Sequence, residues 1–124
     1  NFIELAKNNE SLEITGSGNE TRDFCYIDDT VNGICLILFN KTNPADIFNI
    51  ATGSSTSIIE IANYINLFCN SNAEIKFKDK RDWDSVTDRK AEIDKLTKLL
   101  DYNADTKIQD GLKKTCDWIM GLNR

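Results

Sequence analysis

The chain has 124 residues, 40% of them hydrophobic, and carries 15 Lys and Arg against 20 Asp and Glu, a net charge of −5 with no His. That length suits one small domain. The acidic balance argues against a nucleic-acid backbone as partner, and no apolar run reaches the ~20 residues of a membrane span. Without His, the commonest general base and the Ser-His and Cys-His nucleophile pairs are absent.

Phe2 to Lys7 fit the end of a helix cut by Asn8-Asn9, and Ser11 to Thr15 a short strand. Gly16-Ser17-Gly18-Asn19 has turn chemistry, because glycine tolerates positive φ. Asp23 to Ile27 is expected to be extended. Asp28-Asp29-Thr30 offers caps for a helix over 29–40, whose Val31, Ile34, Cys35 and Leu38 recur at helical spacing and which Asn43-Pro44 would stop. Asp46 to Ala51 is short and apolar, as a buried strand is, and Thr52 to Thr56 is expected to be a loop.

Ser57-Ile58-Ile59-Glu60 has the form of a capping box opening a helix with Ile58, Ile61, Ala62, Ile65 and Phe68 on one face. Glu74 to Lys78 alternates polar and apolar residues, the pattern of a half-exposed strand. Residues 79–90 hold eight charges in twelve positions and are expected to be a solvated loop, with Trp83 an unusual member. Asp94 is placed to cap a helix through Leu100. Thr106-Lys107-Ile108-Gln109 repeats the capping-box pattern before a last helix that puts Ile108, Leu112, Cys116 and Ile119 on one face. The mixture predicts an α/β fold, a small mixed domain of short strands and about five helices.

Four scattered cysteines, Cys25, Cys35, Cys69 and Cys116, form no C-x-x-C pair, so reduced, buried thiols in a cytoplasmic protein are expected, with no metal. Asp28 and Asp29 fit caps better than acid–base catalysts, Tyr26 fits packing, and Asn49 a structural role. Two arginines stand in unusual settings, Arg22 after the glycine turn and Arg81 in Arg81-Asp82-Trp83-Asp84. A planar guanidinium suits bidentate contact with phosphate. On pattern alone, Arg22-Asp23 and Arg81-Asp84 fit exposed ion pairs, which are weak.

The order of these pieces changes that balance. Gly16-x-Gly18-x-x-x-Arg22-Asp23-Phe24, Phe48-Asn49-Ile50 to Ser57-Ile58, Arg81-Asp82-Trp83-Asp84, Asp94-Lys95 to Asp101-Tyr102, and Asp110-Gly111-Leu112-x-x-Thr115-x-x-Trp118 occur in sequence over nearly the whole chain. Together they resemble the carboxyl-terminal portion of the extended short-chain dehydrogenase/reductase family, the NAD-dependent nucleotide-sugar epimerases and dehydratases such as UDP-glucose 4-epimerase. The resemblance implies that residues 1–124 form a substrate-binding domain. Arg22 and Arg81 would lie on the sugar-nucleotide pyrophosphate, Asp84 on the ribose and Ile58 along the base. It departs from the family pattern at Trp83, Ala51 and Asp101, each in the place of a glycine.

The family's Tyr-x-x-x-Lys pair is absent: Tyr26, Tyr64 and Tyr102 have no Lys four residues on, and there is no Gly-x-x-Gly-x-x-Gly turn for a dinucleotide. The chain opens on Asn1 without Met, and a fragment is expected, with no catalytic residue and no cofactor of its own. NAD would belong to an amino-terminal Rossmann domain in the full-length enzyme. The ligand implied is a nucleotide-sugar, a UDP-sugar first. A fragment without its companion domain is expected to expose apolar faces and to self-associate. The alternative is a stand-alone, non-catalytic nucleotide-binding or interaction module.

Overall fold

The computed structural model describes residues 1–41, 43, 45–80, 82 and 85–121. Five helices and five short strands alternate loosely, an α/β arrangement: α1 (Phe2–Lys7), β1 (Leu12–Thr15), β2 (Thr21–Arg22), α2 (Ile27–Phe39), β3 (Thr56–Ser57), α3 (Ile58–Phe68), β4 (Ile75–Lys78), β5 (Asp88–Arg89), α4 (Asp94–Leu100) and α5 (Ile108–Ile119).

The strands form two small sheets. β1 pairs with β4 in parallel, Leu12 opposite Ile75 and Ile14 opposite Phe77. The other sheet has the order β3-β2-β5, with β3 antiparallel and β5 parallel to β2. The core lies where α1 and α3 pack on β1 and α5 packs against both helices. Ile3 and Ala6, Leu12 and Ile14, Ile61, Ala62 and Ile65, and Cys69 and Cys116 are all buried there. These are the positions at which helical spacing on α3 and strand alternation on β1 face one interior. Burial, with Cys69 beside it, pushes the Cys116 thiol up to about 12.

The capping box on α3 is complete. Glu60 N–H donates to Ser57 Oγ at 3.3 Å and Ser57 N–H donates to the Glu60 carboxylate at 3.1 Å. Asp101 adopts φ 53°, ψ 36° as the carboxyl cap of α4 and fills the left-handed position expected of it. The Gly16–Gly18 turn has positive φ at both glycines and is closed by the buried carboxylate of Glu20, which accepts the Gly18 amide at 2.8 Å and the Ser17 amide at 3.2 Å. Gly18 and Glu20 then take the amides of Ile59 and Ile58 on their carbonyls, at 2.9 and 3.0 Å. The turn thereby sews the start of α3 to β2.

Several local expectations are corrected. Asp28 and Asp29 do not cap α2: the helix begins at Ile27 behind an extended Tyr26, so both acids fall in its first turn, where they complement the helix dipole. Buried Asp29 accepts the amide of Thr106 at 3.2 Å and so pins α2 to the entrance of α5. α2 ends at Phe39, ahead of Pro44, which lies outside the described residues. Asp94 is the first residue of α4, not its cap, and its carboxylate holds Lys98 one turn on. Thr106 and Gln109 form no capping box; Lys107 is the amino cap of α5, and Gln109 donates to the Tyr64 hydroxyl at 2.9 Å.

The extended stretch expected at 23–27 begins earlier, as β2, and the loop expected at 52–56 ends in β3. The charged run at 79–90 contains β5. Residues 46–50 form no strand and are largely exposed, although Ala51 is buried. An apolar run becomes a strand only when a sheet edge accepts its backbone hydrogen bonds, and among the described residues none does so here. The same region is apolar on α2, where Ile27, Val31, Ile34, Leu38 and Phe39 are all exposed, Phe39 by 85%.

Candidate functional site

Site geometry is set by β2 and its two neighbours. Across β2, Thr21 faces Ser57 and Arg22 faces Thr56 on one side; Thr21 faces Asp88 and Arg22 faces Arg89 on the other. β2 therefore stands directly beside Ser57, and the next residue, Ile58, opens α3. Ile58 is partly buried and packs against the core cluster, so this apolar side chain is shared between the core and the surface near β2. Arg81 and Asp84, together with Trp83 between them, lie outside the described residues.

Arg22 is half-buried. Its Nη1 donates to the carbonyls of Thr21 at 2.6 Å and Thr87 at 3.3 Å, and its Nη2 to that of Val86 at 3.5 Å. The guanidinium thus lies along the segment that leads into β5. Asp23 does not form the exposed ion pair that the Arg-Asp pattern allows. Its Oδ1 accepts the Thr52 amide at 3.0 Å and hydroxyl at 2.6 Å, and its Oδ2 accepts the amides of Gly53 at 3.0 Å and Ala91 at 3.4 Å. Asn49 adds a second tie between the same segments, donating to the Glu92 carbonyl at 2.9 Å, the structural role expected of it.

Arg22, Asp23, Asp88, Arg89 and Lys90 surround an open hollow of about 510 Å³. Both acids in it are engaged: Asp23 as above, Asp88 with the Thr21 hydroxyl. Three cations and two carboxylates thus line one hollow in a chain that is acidic overall. Arg22 and Arg89 are sheet neighbours, and like charges side by side on adjacent strands destabilise a sheet. A guanidinium can add charge-assisted hydrogen bonds to an oxyanion that enters such a hollow.

Arg89 was hidden in the sequence by the charged run around it. Its partner strand lies 67 residues away, and only the parallel pairing reveals it.

Other hollows carry less chemistry. One of about 810 Å³ lies between Tyr26, Ile27, Lys114 and Trp118. Another of about 310 Å³, beside the 52–56 loop, is lined by Phe24, Thr52, Thr56, Asp105, Thr106 and Lys107 among others. Tyr102 is fully buried, and burial first, then the Cys25 thiol beside it, holds its phenol well above the usual tyrosine value, the reverse of what a base requires. Among the described residues no group of His, Cys, Asp and Glu is placed to hold a metal ion, and no helix is long and apolar enough to cross a membrane.

Comparison with known proteins identifies the family. The profile of the family described as GDP-mannose 4,6 dehydratase matches residues 1–115. UDP-glucuronic acid decarboxylase 1 of Xenopus tropicalis is 33% identical over 115 residues, covering 93% of this chain and 27% of that protein. Epimerase Mth375 of Methanothermobacter thermautotrophicus superposes with a TM-score of 0.92 at 32% identity, over 97% of this chain and 36% of that one. UDP-glucuronic acid 4-epimerase of Bacillus cereus, solved with UDP-glucuronic acid and NAD, superposes with a TM-score of 0.87 at 30% identity, over 98% and 38%. The chain spans between a quarter and two-fifths of the length of these relatives. On these matches the chain belongs to the nucleotide-sugar epimerase and dehydratase family of extended short-chain dehydrogenases/reductases.

Proposed function

We propose that residues 1–124 are the nucleotide-sugar-binding portion of an NAD-dependent nucleotide-sugar epimerase or dehydratase, and that they hold the nucleoside diphosphate of a UDP-sugar. The observation that carries this reading is the pair Arg22 and Arg89, side by side on β2 and β5 at the rim of a hollow that Lys90, Asp23 and Asp88 also line. Arg22 and Arg81 would grip the diphosphate with Arg89 beside them, Asp84 would hold the ribose, and Ile58 would lie along the base. The relative solved with UDP-glucuronic acid and NAD supports the ligand class.

Binding at this distance from the reacting carbon positions the sugar: energy gained on the diphosphate fixes the hexose for hydride transfer. NAD supplies the hydride acceptor. Residues of this chain do not fit it, because the amino terminus of α3 is closed by its own capping box and the chain has no Gly-x-x-Gly-x-x-Gly turn. The dinucleotide and the Tyr/Lys pair are assigned to a Rossmann domain, for which the exposed apolar stripe of α2 is a contact face. A stand-alone capture module would leave that stripe without a purpose.

Calorimetry with UDP, dTDP, CDP and GDP tests the reading. UDP is expected to bind, and Arg22→Ala to weaken it by about 10- to 150-fold, the worth of a charge-assisted contact. In the intact enzyme Arg81→Ala is expected to raise KM. Failure of all four nucleotides to bind, or an Arg22→Ala affinity equal to wild type, refutes it.

A further inference from the structure

We infer that Asp23 is a positioning residue for the diphosphate site, a clamp that fixes β2 against the two segments flanking it; this rests on the reading above. One carboxylate receives four hydrogen bonds from three residues in two segments of the chain: Thr52 and Gly53, 29 and 30 residues on, and Ala91, 68 residues on. Ala91 lies two residues past Arg89, and Asp23 is bonded to Arg22. The clamp thus joins the two arginine-bearing strands immediately beyond their paired residues, where β2 and β5 are only two residues long and their own ladder is slight.

The clamp also handles charge. A carboxylate at the edge of a diphosphate site repels the ligand. Three amides and a hydroxyl directed at its two oxygens spread that charge into hydrogen bonds. The two effects predict opposite signs on removal. If Asp23 acted through charge alone, Asp23→Asn would tighten UDP binding. If it acts by holding Arg22 and Arg89 in register, the same change weakens it.

The experiment measures UDP affinity by calorimetry, thermal stability, and amide exchange at Gly53 and Ala91, for wild type, Asp23→Asn and Asp29→Asn. Asp29 is the control: a buried carboxylate that likewise accepts a distant amide, that of Thr106, and stands outside the hollow. Asp23→Asn is expected to weaken UDP at least tenfold and to speed exchange at Gly53 and Ala91, while Asp29→Asn binds within twofold of wild type. Unchanged or tighter binding by Asp23→Asn, or an equal loss in Asp29→Asn, overturns the inference.

Should Asp23→Asn not fold, Thr52→Val decides. It deletes one of the four bonds and is expected to weaken UDP several-fold, and unchanged affinity overturns the clamp. If wild type binds no UDP, the functional reading itself fails, an outcome distinct from any difference among the variants.

Discussion

Gly18→Ala probes how β2 is set beside α3. Gly18 has φ 82°, and a methyl placed on it would lie 3.0 Å from Phe77 Cε1 and 3.1 Å from Ile59 Cβ. Two costs add. The left-handed backbone disfavours a side chain by about 1–2 kcal/mol. Forcing a methyl against the Phe77 ring edge and against Ile59 Cβ, which is carried on the backbone of α3, costs about 1–3 kcal/mol more. The sum, about 2–5 kcal/mol, is a large part of the roughly 6–19 kcal/mol expected for a domain of this size.

Urea unfolding followed by circular dichroism measures it. With a slope of about 2 kcal/mol/M, the midpoint should fall by about 1–2.5 M and the slope stay fixed. Gly121→Ala is the reference, because Gly121 also has positive φ, 74°, but its methyl would meet nothing within 4 Å. It should cost only the backbone part, about 1–2 kcal/mol. Equal losses in the two variants would refute the claim that Phe77 and Ile59 close over this turn.

Two further outcomes follow from the same structure. Hydrogen bonds from its own amide and from Ser17, with Gly18 after them, hold the Glu20 carboxyl below its usual value of 4.5 against the opposing effect of burial. Its contribution is fully present above that value and is lost as pH falls through the lower folded value. The stability gap between wild type and Glu20→Gln should therefore be constant near neutrality and shrink in acid; a gap that widens below pH 4.5 contradicts the assignment. The second concerns α2, whose Val31, Leu38 and Phe39 are at least half exposed. The isolated chain should self-associate in sedimentation velocity, and Leu38→Lys with Phe39→Ser should return it to monomer; a compact monomer at every concentration of wild type counts against it.

What could be seen in the sequence divides by range. The Ser57–Glu60 box, the left-handed Asp101 and the apolar faces of α3 and α5 depend on neighbours within a turn or two, and they stand where local chemistry puts them. Asp28, Asp29, Asp94 and Thr106 carry the same local signals without the same result. An amino cap commonly has an extended backbone, and tertiary packing placed the extended residues at Tyr26 and Lys107, while α4 starts one residue after Ile93 and takes Asp94 inside its first turn. Residues 46–50 have a strand's composition but lack a partner edge. At the candidate site, Arg22 is singled out by its setting after the glycine turn and by the family resemblance, whereas the strand pairing of Arg89 and the several bonds of Asp23 depend on contacts across 29 to 68 residues, which no window of sequence contains.

The parallel pairing of β2 with β5 has a consequence during synthesis. Thr21 must wait for Asp88, 67 residues later, before its strand has that neighbour. At ordinary translation speeds this is a delay of about 3 to 13 s. Within that interval the emerging chain can form α1 and α3, whereas β1 waits for β4 at Ile75–Lys78 and the pairing of Arg22 with Arg89 comes later still, among the last features a ribosome-bound copy can complete.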